Sequence, residues 1–123
     1  MKISIIGTGY VGLVSGACLA SKNHKVTCFD LNHQVIKNLK NGICNIYEKD
    51  LESKIIKNTK NLFFEVLNHS TQENLLDADV IMIAVGTPSL EGEANLSQVE
   101  SVARMLGNLL KSSDKFISII IKS

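Results

Sequence analysis

The sequence lacks the features that mark several large functional classes. It has no dominant charge: 13 Lys and Arg stand against 12 Asp and Glu, a formal net charge of +1 over 123 residues. Nucleic-acid partners call for a strongly basic face, so none is expected. Cys18, Cys28 and Cys44 form no close pair, and His24, His33 and His69 complete no zinc-type spacing. No metal site is therefore expected, and the thiols read as reduced ones of the cytoplasm. No run approaches the ~18 apolar residues of a membrane span. Lys2 and the apolar stretch up to Ala17-Cys18 imitate a secretory signal, but Gly7-Thr8-Gly9 interrupts it and Ser15 stands where a lipoprotein signal has leucine. There is no repeat, low-complexity segment or linker, and the only proline, Pro88, falls in a loop. What is left is a soluble, cytoplasmic globular chain of one domain's length, 45% hydrophobic.

Short apolar runs alternate with helical ones. Lys2–Ile6 reads as a buried strand stopping at glycine, 11–21 as a helix and 25–29 as a second strand. Asn32 is placed to cap a helix with Val35, Ile36 and Leu39 on one face, and Gly42 to end it. Asp50 is placed to cap a short helix over 51–58, with Leu51, Ile55 and Ile56 inward. Leu62–Val66 reads as a third strand, and Ser70-Thr71-Gln72-Glu73 has the form of a capping box ahead of a turn or two through Leu76. Residues 79–85 suit a strand buried on both faces, and 86–94 a loop. Asn95 and Gln98 open a helix striped by Val99, Ala103, Leu106 and Leu110. Residues 116–121 form a fifth strand. The pattern predicts an α/β fold: a Rossmann-type, doubly wound parallel sheet of about five strands. Cys18 and Cys28 fall where small buried thiols are expected.

Gly7-Thr8-Gly9-Tyr10-Val11-Gly12 is G-x-G-x-x-G between a predicted strand and a predicted helix, the setting of a dinucleotide fingerprint. Gly7 permits the tight turn, Gly9 lets the backbone approach a pyrophosphate, and Gly12 lets the helix lie close to the sheet. The helix N-terminus offers N–H groups to the phosphates. Glycines that serve only helix–strand packing are the plainer alternative. Asp30, 18 residues after Gly12, suits the hydroxyls of an adenosine ribose and would repel a 2′-phosphate, which favours NAD over NADP. Capping the next helix is its other role, for which Asn32 is better placed. Val85-Gly86-Thr87-Pro88-Ser89 leaves the fourth strand where the crevice of such a sheet opens; a plain strand-to-helix connection is the alternative there.

At these residues the sequence resembles the UDP-glucose/GDP-mannose dehydrogenase family, nearest its UDP-glucose members. The glycine motif continuing to Leu13, the Val85–Ser89 segment and Gly92-Glu93-Ala94-Asn95-Leu96, similar to the family's G-E-A-D-L, carry the resemblance. Asn45-Ile46-Tyr47-Glu48-Lys49-Asp50-Leu51 is similar to the family's P-I-Y-E-P-G-L with both prolines lost, and Glu48 is given no functional role. The resemblance implies NAD contacts at Tyr10, Val11, Asp30, Val85, Gly86, Thr87, Pro88 and Ser89. Val35 stands where the family usually has a cation near the adenosine. In complete members a sugar C6 hydroxyl is oxidised to a carboxylate while two NAD are reduced.

This chain ends at Lys122-Ser123, ahead of the family's T-V-P. By the resemblance, 1–123 is a truncated NAD-binding domain without its substrate domain. No residue here is then catalytic, and a UDP-sugar binds only if the missing part is supplied. A stand-alone dinucleotide-binding module, from a truncated or split gene, is the second reading. The Val85–Ser89 and Gly92–Leu96 motifs argue against a flavoprotein or methyltransferase. The final apolar strand has an unpaired edge, so self-association through it is expected.

Overall fold

The computed structural model describes residues 1–122; Ser123, which closes the expected domain, lies outside them. The chain runs β1 (Lys2–Ile6), α1 (Tyr10–Ser21), β2 (Lys25–Asp30), α2 (His33–Lys40), α3 (Leu51–Lys57) and β3 (Leu62–Val66). A 3-10 helix (Gln72–Asp77) leads to β4 (Val80–Ile83), a hairpin of β5 (Ser89–Leu90) and β6 (Glu93–Ala94), α4 (Ser97–Leu110) and β7 (Ser118–Ile121). Five strands form one parallel sheet in the order β3-β2-β1-β4-β7. The expected doubly wound fold is present, with β1 and β4 adjacent.

Alternation along each strand sends side chains to two cores. On one face Ile3, Ile5, Val26, Cys28, Leu62 and Phe64 meet α1, α2 and α3 through Leu13, Ala17, Ile36, Leu39, Leu51 and Ile55. On the other, Ile6, Phe29, Ile81 and Ile83 meet Leu75 of the 3-10 helix and Leu106 of α4. α1 lies close because its inward positions are small: a Cβ on Gly16 would come within 2.8 Å of Cys28 Sγ. Asn32 caps α2 as expected, its Oδ1 accepting the N–H groups of Gln34 and Val35 at 3.0 and 3.1 Å.

Several expectations need correction. Cys18 is exposed, because α1 turns its Gly/Ala face inward at 12, 16, 17 and 20; Cys28 is buried as expected. Asp50 makes no side-chain cap and adopts a left-handed φ of +65°, at the position where the resembling motif has glycine; Ile56 is exposed. The capping box at 70–73 does not form. Thr71 Oγ1 instead donates to Val66 O at 2.6 Å, while Asn68 Oδ1 accepts from the Ser70 and Thr71 N–H groups. The segment after it winds as a 3-10 helix. Residues 86–94 are not all loop, since β5 and β6 pair through a turn with positive φ at Glu91 and Gly92. α4 begins two residues after Asn95, whose Oδ1 still accepts the Ser97 N–H at 3.0 Å. Its packed stripe is Val102, Met105, Leu106 and Leu109, with Ala103 facing out. β7 starts at Ser118, leaving Phe116 exposed.

Ahead of β7, Lys115 donates to Asp77 O at 2.9 Å and lies 3.6 Å from Asp79. The backbone N–H of Lys2, assisted by Lys115, holds the exposed Asp79 carboxyl below its ordinary pKa.

Candidate functional site

The carboxyl ends of β1, β2 and β4 converge on a cavity of about 430 Å³. Gly7 leaves β1 at φ +109°, and a Cβ there would lie 2.5 Å from Ala84 O; its N–H donates to Phe29 O at 2.8 Å. Only glycine fits that turn. Gly12 sits beneath the loop and outside the cavity wall, where a Cβ would come 2.0 Å from Gly7 O. Gly9 is different: nothing lies within 4 Å of where its Cβ would be. The space over the Gly9 backbone is open, with Tyr10 and Val11 beside it on the cavity wall. The first intrahelical bond runs from Leu13 N–H to Gly9 O at 2.9 Å. The N–H groups of Tyr10, Val11 and Gly12 therefore have no acceptor within α1. Donors at a helix N-terminus beside open space suit a pyrophosphate.

Asp30 reaches the same cavity from the end of β2. Its Oδ2 accepts from Thr8 Oγ1 at 2.6 Å and from Thr8 N–H at 3.0 Å, and its Oδ1 accepts from Asn32 N–H at 3.0 Å. Val85, Gly86 and Thr87 form the opposing edge beyond β4. Pro88 and Ser89 fall outside the cavity wall; Pro88 O accepts the Asn95 N–H at 2.8 Å, and Ser89 pairs with Ala94 in the hairpin.

The motifs did not point to the rest of the lining. Leu31, Leu67, Val102 and Met105 give it an apolar wall, and Gln98 and Ser101 add polar groups from α4. The signal for the α4 residues was its helical period, which Val102 and Met105 share with buried Leu106. Thr8 occupies an unrestricted position of G-x-G-x-x-G, so the pattern gave it no weight. Glu48 also proves closer to the site than its sequence context suggested. Its carboxylate, an acceptor near the Tyr10 hydroxyl, raises the phenol's pKa by favouring the protonated form and by its negative charge.

A carboxylate for a ribose, free N–H groups for phosphates, an apolar slot and open space above Gly9 fit the adenosine diphosphate half of a dinucleotide. Among the described residues no group of three or more His, Cys, Asp or Glu could hold a metal ion. No helix among them is long and apolar enough to cross a membrane.

Comparison with known proteins agrees with a dinucleotide-binding fold. Residues 1–123 match the family model described as UDP-glucose/GDP-mannose dehydrogenase family, NAD binding domain. The UDP-glucose 6-dehydrogenase TuaD of Bacillus subtilis is 44% identical over 110 residues, covering 89% of this chain and 24% of that protein. The UDP-glucose 6-dehydrogenase of Pseudomonas aeruginosa is 40% identical over 114 residues, 92% of this chain and 25% of its own length. A ternary complex of GDP-mannose dehydrogenase from Pseudomonas aeruginosa has a TM-score of 0.90 at 32% identity, covering 100% of this chain and 28% of that one. The chain spans about a quarter of the length of the curated relatives it matches.

Proposed function

This chain belongs to the UDP-glucose/GDP-mannose dehydrogenase family as an NAD-binding domain, and from that premise we propose that it is the N-terminal cofactor-binding part of a UDP-sugar 6-dehydrogenase of UDP-glucose type. The family consists of NAD-dependent sugar-nucleotide dehydrogenases, and the cofactor here is NAD. Bound NAD supplies the hydride acceptor for oxidation of a sugar C6 hydroxyl to a carboxylate, which consumes two NAD. The chain's own residues bind and orient. Gly9 and the N–H groups of Tyr10 and Val11 take the pyrophosphate, with Gly7 and Gly12 fixing the loop. Asp30 takes the adenosine ribose, while Val85, Gly86 and Thr87 shape the far edge. Pro88 and Ser89 are assigned to the cofactor on their likeness to the family motif. The observation that carries the reading is the Asp30 carboxylate on the same cavity as the open space over Gly9.

The cavity wall includes no Cys, Lys or His. That observation favours a second reading for these residues by themselves: a dinucleotide-binding module without chemistry of its own. We accordingly read residues 1–123 as an NAD-binding domain that is catalytically inactive alone, with the UDP-sugar bound by residues outside it. The reduced-type cysteines support a cytoplasmic setting. The exposed isoleucines of β7 support self-association through that edge.

Calorimetric titration of the 123-residue chain tests the assignment. NAD should bind more tightly than NADP, and Asp30→Ala should weaken NAD about tenfold, the scale of hydrogen bonds to a charged group. Equal binding of NAD and NADP by the wild type would remove Asp30 from the ribose. Production of NADH from UDP-glucose by the pure chain would overturn its inactivity.

A further inference from the structure

We infer that Thr8 sets the preference for NAD over NADP, by holding Asp30 in one orientation; this rests on Asp30 receiving the adenosine ribose. Thr8 and Ser4 are the buried polar residues of the core, and Thr8 is 5% exposed. Its hydroxyl and its N–H both donate to Asp30 Oδ2, at 2.6 and 3.0 Å, while the Asn32 N–H donates to Oδ1 at 3.0 Å. A carboxylate offers about four acceptor positions, so these three bonds leave about one, on Oδ1, aimed by the others.

A partly exposed aspartate at the end of a strand can ordinarily rotate away from an unfavourable neighbour. A 2′-phosphate is such a neighbour, because two anions in contact repel strongly. Clamped by Thr8, Asp30 has no such escape. It must accept from a ribose hydroxyl or confront a phosphate. Of the three donors, the two backbone N–H groups persist with any side chain at position 8. The Thr8 hydroxyl makes the shortest bond and is the one the sequence chooses. Thr8 thus acts through Asp30 as a positioning residue.

The test is titration of the full chain with NAD and with NADP. Thr8→Val, which keeps the shape and removes the hydroxyl, should weaken NAD about tenfold. It should leave NADP unchanged or improved, so that the NAD/NADP preference falls at least fivefold. Thr8→Ser should restore both values. In an Asp30→Ala background, Thr8→Val should not alter the preference further. If valine is not accommodated, Thr8→Ala carries the same comparison. A merely structural role would weaken both cofactors by one factor, and that result, or no change in either, overturns the inference. Should Asp30→Ala leave NAD binding intact, the ribose assignment itself fails. Loss of NAD affinity in Asp30→Ala with an unchanged preference in Thr8→Val would sink the Thr8 inference alone.

Discussion

β1 and β7 flank β4, and each is joined to it by a parallel ladder of four residue pairs, yet Ile5 of β1 is 0% exposed and Ile121 of β7 is 60%. The backbone bonding is alike on the two sides. The difference lies on the faces: β1 is covered by α1 on one side and by the 3-10 helix and α4 on the other, while Ile119, Ile120 and Ile121 all remain exposed. A ladder of hydrogen bonds thus fixes where a strand sits, and burial of its faces supplies most of its stability. The candidate site belongs to the packed side. Gly7, Asp30 and Val85 project from β1, β2 and β4, so the cofactor cradle does not depend on how β7 is covered.

The largest test of that contrast is truncation within each half. Ile5→Ala should lower unfolding free energy by about 2–5 kcal/mol, the usual cost of emptying a core position. Ile121→Ala should cost under about 1 kcal/mol, since little burial is lost. Denaturant melts of the two variants check this, and equal losses would break the comparison.

An intermediate effect is expected on assembly. Sedimentation should show the wild-type chain associating as concentration rises, and Ile119→Lys should reduce that association by placing a charge on the exposed edge strand. A wild type that stays monomeric at high concentration, with no change in the variant, would show that β7 needs no covering.

The last effect concerns pH. Burial pushes the Cys28 thiol up to about 12. Above its ordinary value of 9.0 the unfolded chain gives up this proton while the folded chain keeps it. The Cys28 contribution is therefore full below pH 9 and is lost as pH rises toward 12, by at most about 1.4 kcal/mol per pH unit. Comparing melts at pH 8 and pH 10.5, Cys28→Ala should lose less stability than wild type over that interval. In the native protein at pH 8, iodoacetamide should modify exposed Cys18 and leave Cys28 untouched.

Much of this organisation was legible in the residues because local chemistry and tertiary context agreed. Leu62–Val66 is apolar at four of its five positions and β-branched or aromatic at three, and β3 has those bounds. Gly7, Gly12 and Asp30 carry requirements of backbone space and charge that few other residues meet. The misses arise where two local signals competed. The 70–73 segment offered a capping box, but Asn68 Oδ1 accepts both the Ser70 hydroxyl and the Ser70 N–H that the box would use. Asp50 is a good cap by composition, but the chain needs a left-handed turn at that point, which leaves its side chain unable to reach the helix. The hairpin at 89–94 is too short for a hydrophobic period to reveal, and only the Glu91-Gly92 turn hinted at it. Exposure of Cys18 depended on which face of α1 the sheet would take, a property of packing and not of the helix alone.

The strand order also sets a timetable for a nascent chain. β1, β2 and β3 pair among themselves within the first 66 residues, with α1, α2 and α3 between them. The other edge of β1 must wait for β4, since Ile3 pairs with Val80. At a synthesis rate of about 5–20 residues per second, β4 follows the end of β3 by roughly 1–3 s. During that interval Ile6 and Phe29 have neither Ile81 nor Leu106 to pack against. An apolar strand edge open on the ribosome for seconds is a natural substrate for a holdase, and slowing translation between β3 and β4 would lengthen its exposure.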